Sequence, residues 1–128
     1  ERFSVLKSLM SSKRAHVVFL LLDGLEGVLA QDKKLLSFLD REKTPFIVAV
    51  NKIDLIPRSK IAKLKESFRQ ELKFCSHVPI VYTSTISRAG LGSLLPLAEN
   101  LWEQSQKRVT TGLLNRLIKE ATYRHQPP

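Results

Sequence analysis

The residues with the most chemical content stand together at Asn51-Lys52-Ile53-Asp54, directly after the apolar run Phe46-Ile47-Val48-Ala49-Val50. An apolar run without alternation is expected as a strand buried on both faces of a parallel sheet. Ligands of open parallel sheets sit at the carboxyl ends of the strands, and the pattern Asn-Lys-x-Asp falls at such an end. A carboxylate there can accept two neighbouring hydrogens at once, and guanine offers such a pair in N1–H and its 2-amino group. Adenine has an acceptor at N1 and no 2-amino group, so Asp54 would be left unpaired against it. A site built on such a bond rejects analogues lacking the donor by ~10⁴ or more. Lys52 brings an apolar stem that can lie along a base plane while its ammonium stays in water. Asn51 can bridge strands or reach the base through its amide.

Two further strand ends are expected to carry Asp23-Gly24 and Thr83-Ser84-Thr85. Asp23-Gly24 reads as a turn; as a catalytic acid, Asp23 lacks a paired titratable neighbour in the sequence. Ser84 as a nucleophile lacks a nearby base, because His77 precedes the same strand and belongs at its opposite end. His16, His77 and His125 are scattered without metal-ligand spacing. No catalytic residue and no metal site is therefore assigned.

The elements that would hold these groups can be read from periodicity. Val17-Val18-Phe19-Leu20-Leu21-Leu22 and residues 46–50 are continuous apolar strands, and Pro79-Ile80-Val81-Tyr82 is a weaker third. Pro45 and Pro79 stand at strand starts, where a missing N–H is tolerated. Leu35, Leu36 and Leu39 make a small helical stripe after the start signal Gln31-Asp32. Ile61, Leu64, Phe68 and Leu72 recur at helical spacing, with Lys65, Arg69 and Lys73 on the opposite side. Leu94, Leu95, Ala98, Leu101 and Trp102 mark another helix, with the leucines and Trp102 as core packing. Pro96 fits only a first turn, so this helix starts near Ser93. Residues 3–12 also look helical. Polar residues 105–110 interrupt the pattern, and Leu113, Leu114, Leu117 and Ile118 begin a new helix. The order implies two βαβ units and a parallel three-stranded α/β sheet. The very apolar first strand would leave a costly free edge, so more strands are expected beside it in a longer protein.

The 128 residues are 43% hydrophobic and 26% charged, which suits one α/β-sized domain with a real core. Beginning at Glu1 and ending at Gln126-Pro127-Pro128, the chain reads as a piece of something longer. The lone Cys75 cannot form an internal disulfide and suggests a reducing cytoplasm. No apolar run approaches the ~20 residues of a bilayer span, so no membrane partner is expected. Most of the net charge of +9 lies in two stretches. One holds Arg58, Lys60, Lys63, Lys65, Arg69 and Lys73 against Glu66 and Glu71. The other holds Lys107, Arg108, Arg116, Lys119 and Arg124 against Glu120. Such concentrations attract polyphosphates.

Taken together, several stretches resemble the second G domain of the bacterial Der (EngA) family, tandem GTPases of large-subunit ribosome assembly. They are Glu1-Arg2-Phe3-Ser4-Val5, the strand leading to Asp23, Glu26-Gly27 with Gln31-Asp32, and Asn51-Lys52-Ile53-Asp54-Leu55. Ser84-Thr85, Gly90-Leu91-Gly92, and Thr111-Gly112-Leu113-Leu114-Asn115 running to His125-Gln126-Pro127-Pro128 complete the set. The last resembles the start of that family's KH-like domain, where His-Pro-Pro-Pro is more usual. The resemblance implies a partial P-loop-GTPase-type sheet. Residues 1–108 would be the guanine-recognition portion of a G domain and residues 109–128 the beginning of the KH-like domain.

The resemblance further implies guanine-site residues Asn51, Lys52, Asp54, Ser84 and Thr85, with the Thr85 backbone N–H donating to the guanine 6-oxo group. That place usually holds Ser-Ala. GTP or GDP would be the ligand, with magnesium in the parent domain. Ribosomal RNA of the large subunit would be the partner, and Arg116, Lys119 and Arg124 the residues that contact it. No G-x-x-x-x-G-K-[ST] phosphate loop and no Asp-x-x-Gly motif occurs in the 128 residues. Phosphoryl transfer depends on that lysine and magnesium, so this stretch alone is expected not to hydrolyse GTP and to bind nucleotide weakly or not at all. The alternative function is a nucleotide-independent RNA-binding module driven by the two basic stretches. A receiver-like phosphoacceptor domain using Asp23 does not suit the order of acidic, hydroxyl and lysine positions.

Overall fold

Strand β2 (Phe46–Asn51) is the centre of the molecule, and Ile47, Val48, Ala49 and Val50 are wholly buried. In the computed structural model, which describes residue 7 and residues 16–124, β1 (Val18–Asp23) and β3 (Ile80–Tyr82) flank it in parallel. The register sets Asp23 beside Asn51 and Val50 beside Tyr82. All three chain exits thus emerge on one rim of the sheet. The expected α/β class and parallel order hold.

Helix α1 (Ala30–Arg41) begins one residue before its expected signal. Asp32 explains the start: its Oδ2 accepts the Leu29 N–H at 2.9 Å, satisfying one of the unpaired donors of a helix beginning. Leu36 and Leu39 are fully buried against β2. Helix α2 (Arg58–Glu71) follows Pro57 and buries Phe68, with Leu72 just beyond its end. Lys33 and Glu71 tie α1 to α2 by an ion pair of 2.6 Å. Phe46, Val48 and Val50 meet Leu36, Leu39, Phe68, Leu72, Cys75 and Val78 in one core on this side of the sheet. Burial raises the Cys75 thiol above its ordinary value, so it stays protonated and inert.

Three expectations change. First, the apolar β1 is not buried on both faces: Phe19 is 38% and Leu21 68% exposed, because β1 is an edge strand covered from one side. Second, Leu95 is exposed rather than core, while Leu94, Ala98, Leu101 and Trp102 are half-buried. Pro96 does fall in the first turn of its helix, which starts at Leu94 after a 3₁₀ turn at Leu91–Ser93. Third, no break separates two helices near residues 105–110: α3 runs unbroken over Leu94–Arg124. The polar side chains there do not stop it because they bond within it. Ser105 Oγ donates to Trp102 O at 2.7 Å, Thr110 Oγ1 to Gln106 O at 3.0 Å and Thr111 Oγ1 to Lys107 O at 2.9 Å. At ~1.5 Å per residue α3 is about 46 Å long, far longer than the sheet it starts on. Residues 3–12 (Lys7 excepted) and 125–128 lie outside the described residues. Among the described residues no helix is long and apolar enough to cross a membrane.

Candidate functional site

The carboxyl ends of β1, β2 and β3 make a rim whose polar groups are tied across strands. Backbone bonds set the frame. Gly24 N–H donates to Asn51 O at 2.9 Å, and Ile53 N–H to Thr83 O at 3.2 Å. A Cβ on Gly24 would lie 2.8 Å from that Asn51 oxygen, so only glycine lets β1 turn this close to β2. Gly90 has φ +75°, and a Cβ there would meet Tyr82 O at 2.3 Å. That close return holds the loop of residues 83–90, in which Ser84 N–H donates to Ala89 O at 3.0 Å.

Within this frame the Asn-Lys-x-Asp residues diverge. Lys52 takes a left-handed backbone, φ 66° and ψ 28°, and its ammonium reaches β1, where Nζ meets Asp23 Oδ2 at 2.8 Å. Asp54 goes the other way, toward β3: Ser84 Oγ donates to its Oδ1 at 2.7 Å. Asn51 stays between them. Its Oδ1 accepts Thr85 N–H at 3.3 Å and Thr83 Oγ1 at 3.4 Å, so of its two expected roles the structure gives it the bridge between β2 and β3. Lys52 and Asp54 thus lean to opposite neighbours, the lysine toward β1 and the exposed carboxylate toward β3. No ion pair engages Asp54 among the described residues, and its Oδ2 is left without a partner there.

The remaining site residues behave as follows. Ser84 is fully buried, and its hydroxyl also accepts Ser87 N–H at 3.0 Å, so it braces Asp54 and cannot act as a nucleophile. His77 pairs instead with Asp40 at 3.1 Å. The Thr85 N–H, expected to face a ligand, is turned to Asn51 in a long bond that a better acceptor can displace. Arg116, Lys119 and Arg124 are exposed on the outer part of α3 and reach none of the rim residues by a hydrogen bond or ion pair. In the Lys65, Arg69, Lys73 row, Lys65 lies 5.1 Å above the Tyr82 ring. Arg69 is 3.8 Å from Glu66, and Lys73 falls past the helix in a 3₁₀ turn.

Asp23 is the residue that sequence reasoning undervalued. It does form a turn, with Oδ1 accepting Leu25 N–H at 2.8 Å and its carbonyl accepting Gly27 N–H at 3.0 Å. It is also the counter-ion of Lys52. The Lys52 hydrogen bond, with help from Leu25 N–H, holds its carboxyl below the ordinary carboxylate value, and Asp23 in turn raises Lys52. An acid held ionised in this way has no proton to give near neutrality, which removes the catalytic-acid reading. Neighbouring strand ends were the available signal, but the parallel register that makes them neighbours is not written in either segment alone. No group of three potential metal ligands occurs among the described residues.

Residues 6–104 match the family model described as the elongation factor Tu GTP binding domain. The whole chain is 50% identical to GTPase Der of Maridesulfovibrio salexigens and covers 28% of that protein. It is 43% identical, again end to end and over 28% of the relative, to GTPase Der of Lawsonia intracellularis. The chain thus spans little more than a quarter of the length of these curated relatives. Among solved structures, Era in complex with MgGDPNP and nucleotides 1506–1542 of 16S ribosomal RNA superposes with a TM-score of 0.58 at 27% identity. That match covers 70% of this chain and 30% of that one. A nucleolar GTP-binding protein 1 of Plasmodium falciparum gives 0.61 at 17% identity, over 91% of this chain and 63% of that one, a likeness of fold alone.

Proposed function

We propose that the strand-end rim selects guanine for a longer GTPase, because the chain belongs to the elongation factor Tu GTP-binding-domain family and is 50% identical, end to end, to part of a GTPase Der. The observation that carries this reading is the state of Asp54. Ser84 fixes one oxygen at 2.7 Å, and the acid is exposed without a cation partner among the described residues. A carboxylate so held is oriented in advance and has acceptor capacity to spare for the N1–H and 2-amino donors of guanine. Fixing it before binding lowers the ordering cost that binding would otherwise carry.

Around it, the Lys52 stem would form one wall against the base plane, and Asn51 would keep the β2 and β3 ends at a fixed spacing. Ser84 would act beneath Asp54 rather than on the ligand. The Thr85 N–H, freed from its long bond to Asn51, would donate to the 6-oxo group. The ligand is GTP or GDP. Magnesium, where the longer protein binds it, would neutralise phosphate charge, and its ligands lie in none of the residues assigned here. Lacking a phosphate loop, the 128 residues alone would not hydrolyse GTP. Competition of GTP against ATP for the full-length protein carrying this chain tests the assignment: GTP should win by orders of magnitude, and equal competition ends the reading.

A second function is favoured by the exposed Arg116, Lys119 and Arg124, none of which has an acidic partner within an ion pair among the described residues. We propose that they contact ribosomal RNA in large-subunit assembly in the cytoplasm, with residues 109–128 opening a separate KH-like unit after the G-domain portion of residues 1–108. Filter binding to ribosomal RNA over a salt series measures this. A steep loss of affinity with salt is the expected result, and no binding at low salt removes the proposal.

A further inference from the structure

We propose that Asp23 is a positioning residue for the base site, acting through Lys52 to fix the wall against which a purine packs. The inference rests on the guanine-site reading above but assigns a residue and a role outside the Asn-Lys-x-Asp pattern. A lysine is a flexible four-carbon stem, poorly suited to serve as a wall unless something holds its end. Here the end is held. The two Asp23 oxygens have separate tasks: Oδ1 takes Leu25 N–H at 2.8 Å and Oδ2 takes Lys52 Nζ at 2.8 Å.

The anchor is itself well fixed. Asp23 closes β1 directly beside Asn51, its carbonyl accepts Gly27 N–H, and Gly24 is bonded to Asn51 O at a distance no other residue permits. The left-handed backbone at Lys52 is what sends its side chain toward β1. Lys52 and Asp54 are therefore held apart by two independent braces, Asp23 on one flank and Ser84 on the other.

The two braces have different consequences for binding. Asp54 reads the hydrogens of the base edge, so its loss changes which purine is preferred. The Lys52 stem meets the base plane, which every purine shares. Loosening it should weaken all purines alike, because the cost of ordering the stem then falls on the binding step.

The test uses the full-length protein carrying this chain, with mant-GDP as the probe and IDP, which lacks the 2-amino group, as competitor. Asp23→Asn is expected to weaken GDP and IDP alike by about fivefold, the ceiling for a solvent-exposed ion pair, with their ratio unchanged. In a Lys52→Met background the same substitution should add nothing, since the residue it acts through is gone. Asp23→Glu, which keeps the charge but disturbs the Leu25 turn, should recover part of the loss. Unchanged affinity in Asp23→Asn, an equal loss in the Lys52→Met background, or an Asp23→Glu variant as weak as Asp23→Asn each overturns the inference while leaving the guanine site standing. A wild-type protein that does not prefer GDP to ADP overturns the site reading, and this inference with it.

Discussion

At the strand-end rim, side chains 29 to 34 residues apart in sequence hydrogen-bond to one another or to backbone. On the outer part of α3, by contrast, the side-chain bonds of Thr110, Thr111 and Thr122 all go to carbonyls four residues earlier. The rim is built by tertiary register: Lys52, Asn51 and Asp54 each have a partner whose place depends on another strand. The outer helix is built by local propensity. Its Leu113, Leu114, Leu117 and Ile118 stay more than half exposed, and its basic residues are unneutralised among the described ones. A region of the first kind can distinguish one base edge from another. A region of the second kind presents charge and apolar surface without fixing geometry.

Several substitutions would sharpen or break this contrast. The largest effect belongs to Asp54→Asn in the full-length protein: GDP affinity should fall by about a hundredfold or more. Xanthosine diphosphate, which carries an acceptor where guanine has a donor, should become the preferred ligand in competition assays. Gly90→Ala comes next. It puts a side chain at φ +75° against Tyr82 O and should destabilise by ~2–4 kcal/mol in urea unfolding. Replacing Arg116, Lys119 and Arg124 together by Ala should reduce the salt slope of RNA binding by about three and leave nucleotide selection intact. A loss of GDP preference in that variant would erase the distinction between the two regions.

Smaller effects follow. Gly112 sits inside α3, and a methyl group added there would meet open space out to 4 Å. Gly112→Ala should therefore raise helicity by circular dichroism and stabilise the helix by ~0.5–1 kcal/mol, the opposite sign to Gly90→Ala. The smallest effect is the pH response of the Asp23–Lys52 pair. Asp23 lies below its ordinary 3.8, so its contribution is complete above that value and disappears as pH falls through the lowered one. Lys52 lies above its ordinary 10.5, so its contribution is complete below that value and disappears as pH rises through the raised one. The difference in urea midpoint between wild type and Asp23→Asn should hence be constant from about pH 5 to 9 and narrow only outside that window.

Much of this arrangement was legible in advance, and the exceptions have physical causes. Continuous apolar residues at 46–50 announced a doubly covered central strand, and they are its most buried part. The same kind of run at 17–22 misled about burial, because an apolar sequence reports a strand's composition and not its place in the sheet. Residues 105–110 looked like a break, since Ser and Thr often compete with helical bonds. In α3 their hydroxyls bond back into the helix instead. Asp23 was readable as a turn residue; its pairing with Lys52 was not.

The sequence alone determined which residue types stand at each strand end, because apolar runs and helical spacing are local patterns that specify elements one at a time. The tertiary structure decided which of those residues face one another. Parallel pairing brings positions 23, 51 and 84 to a common rim, and a left-handed turn at Lys52 divides the motif between two neighbours. Partnership across strands is a property of register, and register is settled only when the whole core packs.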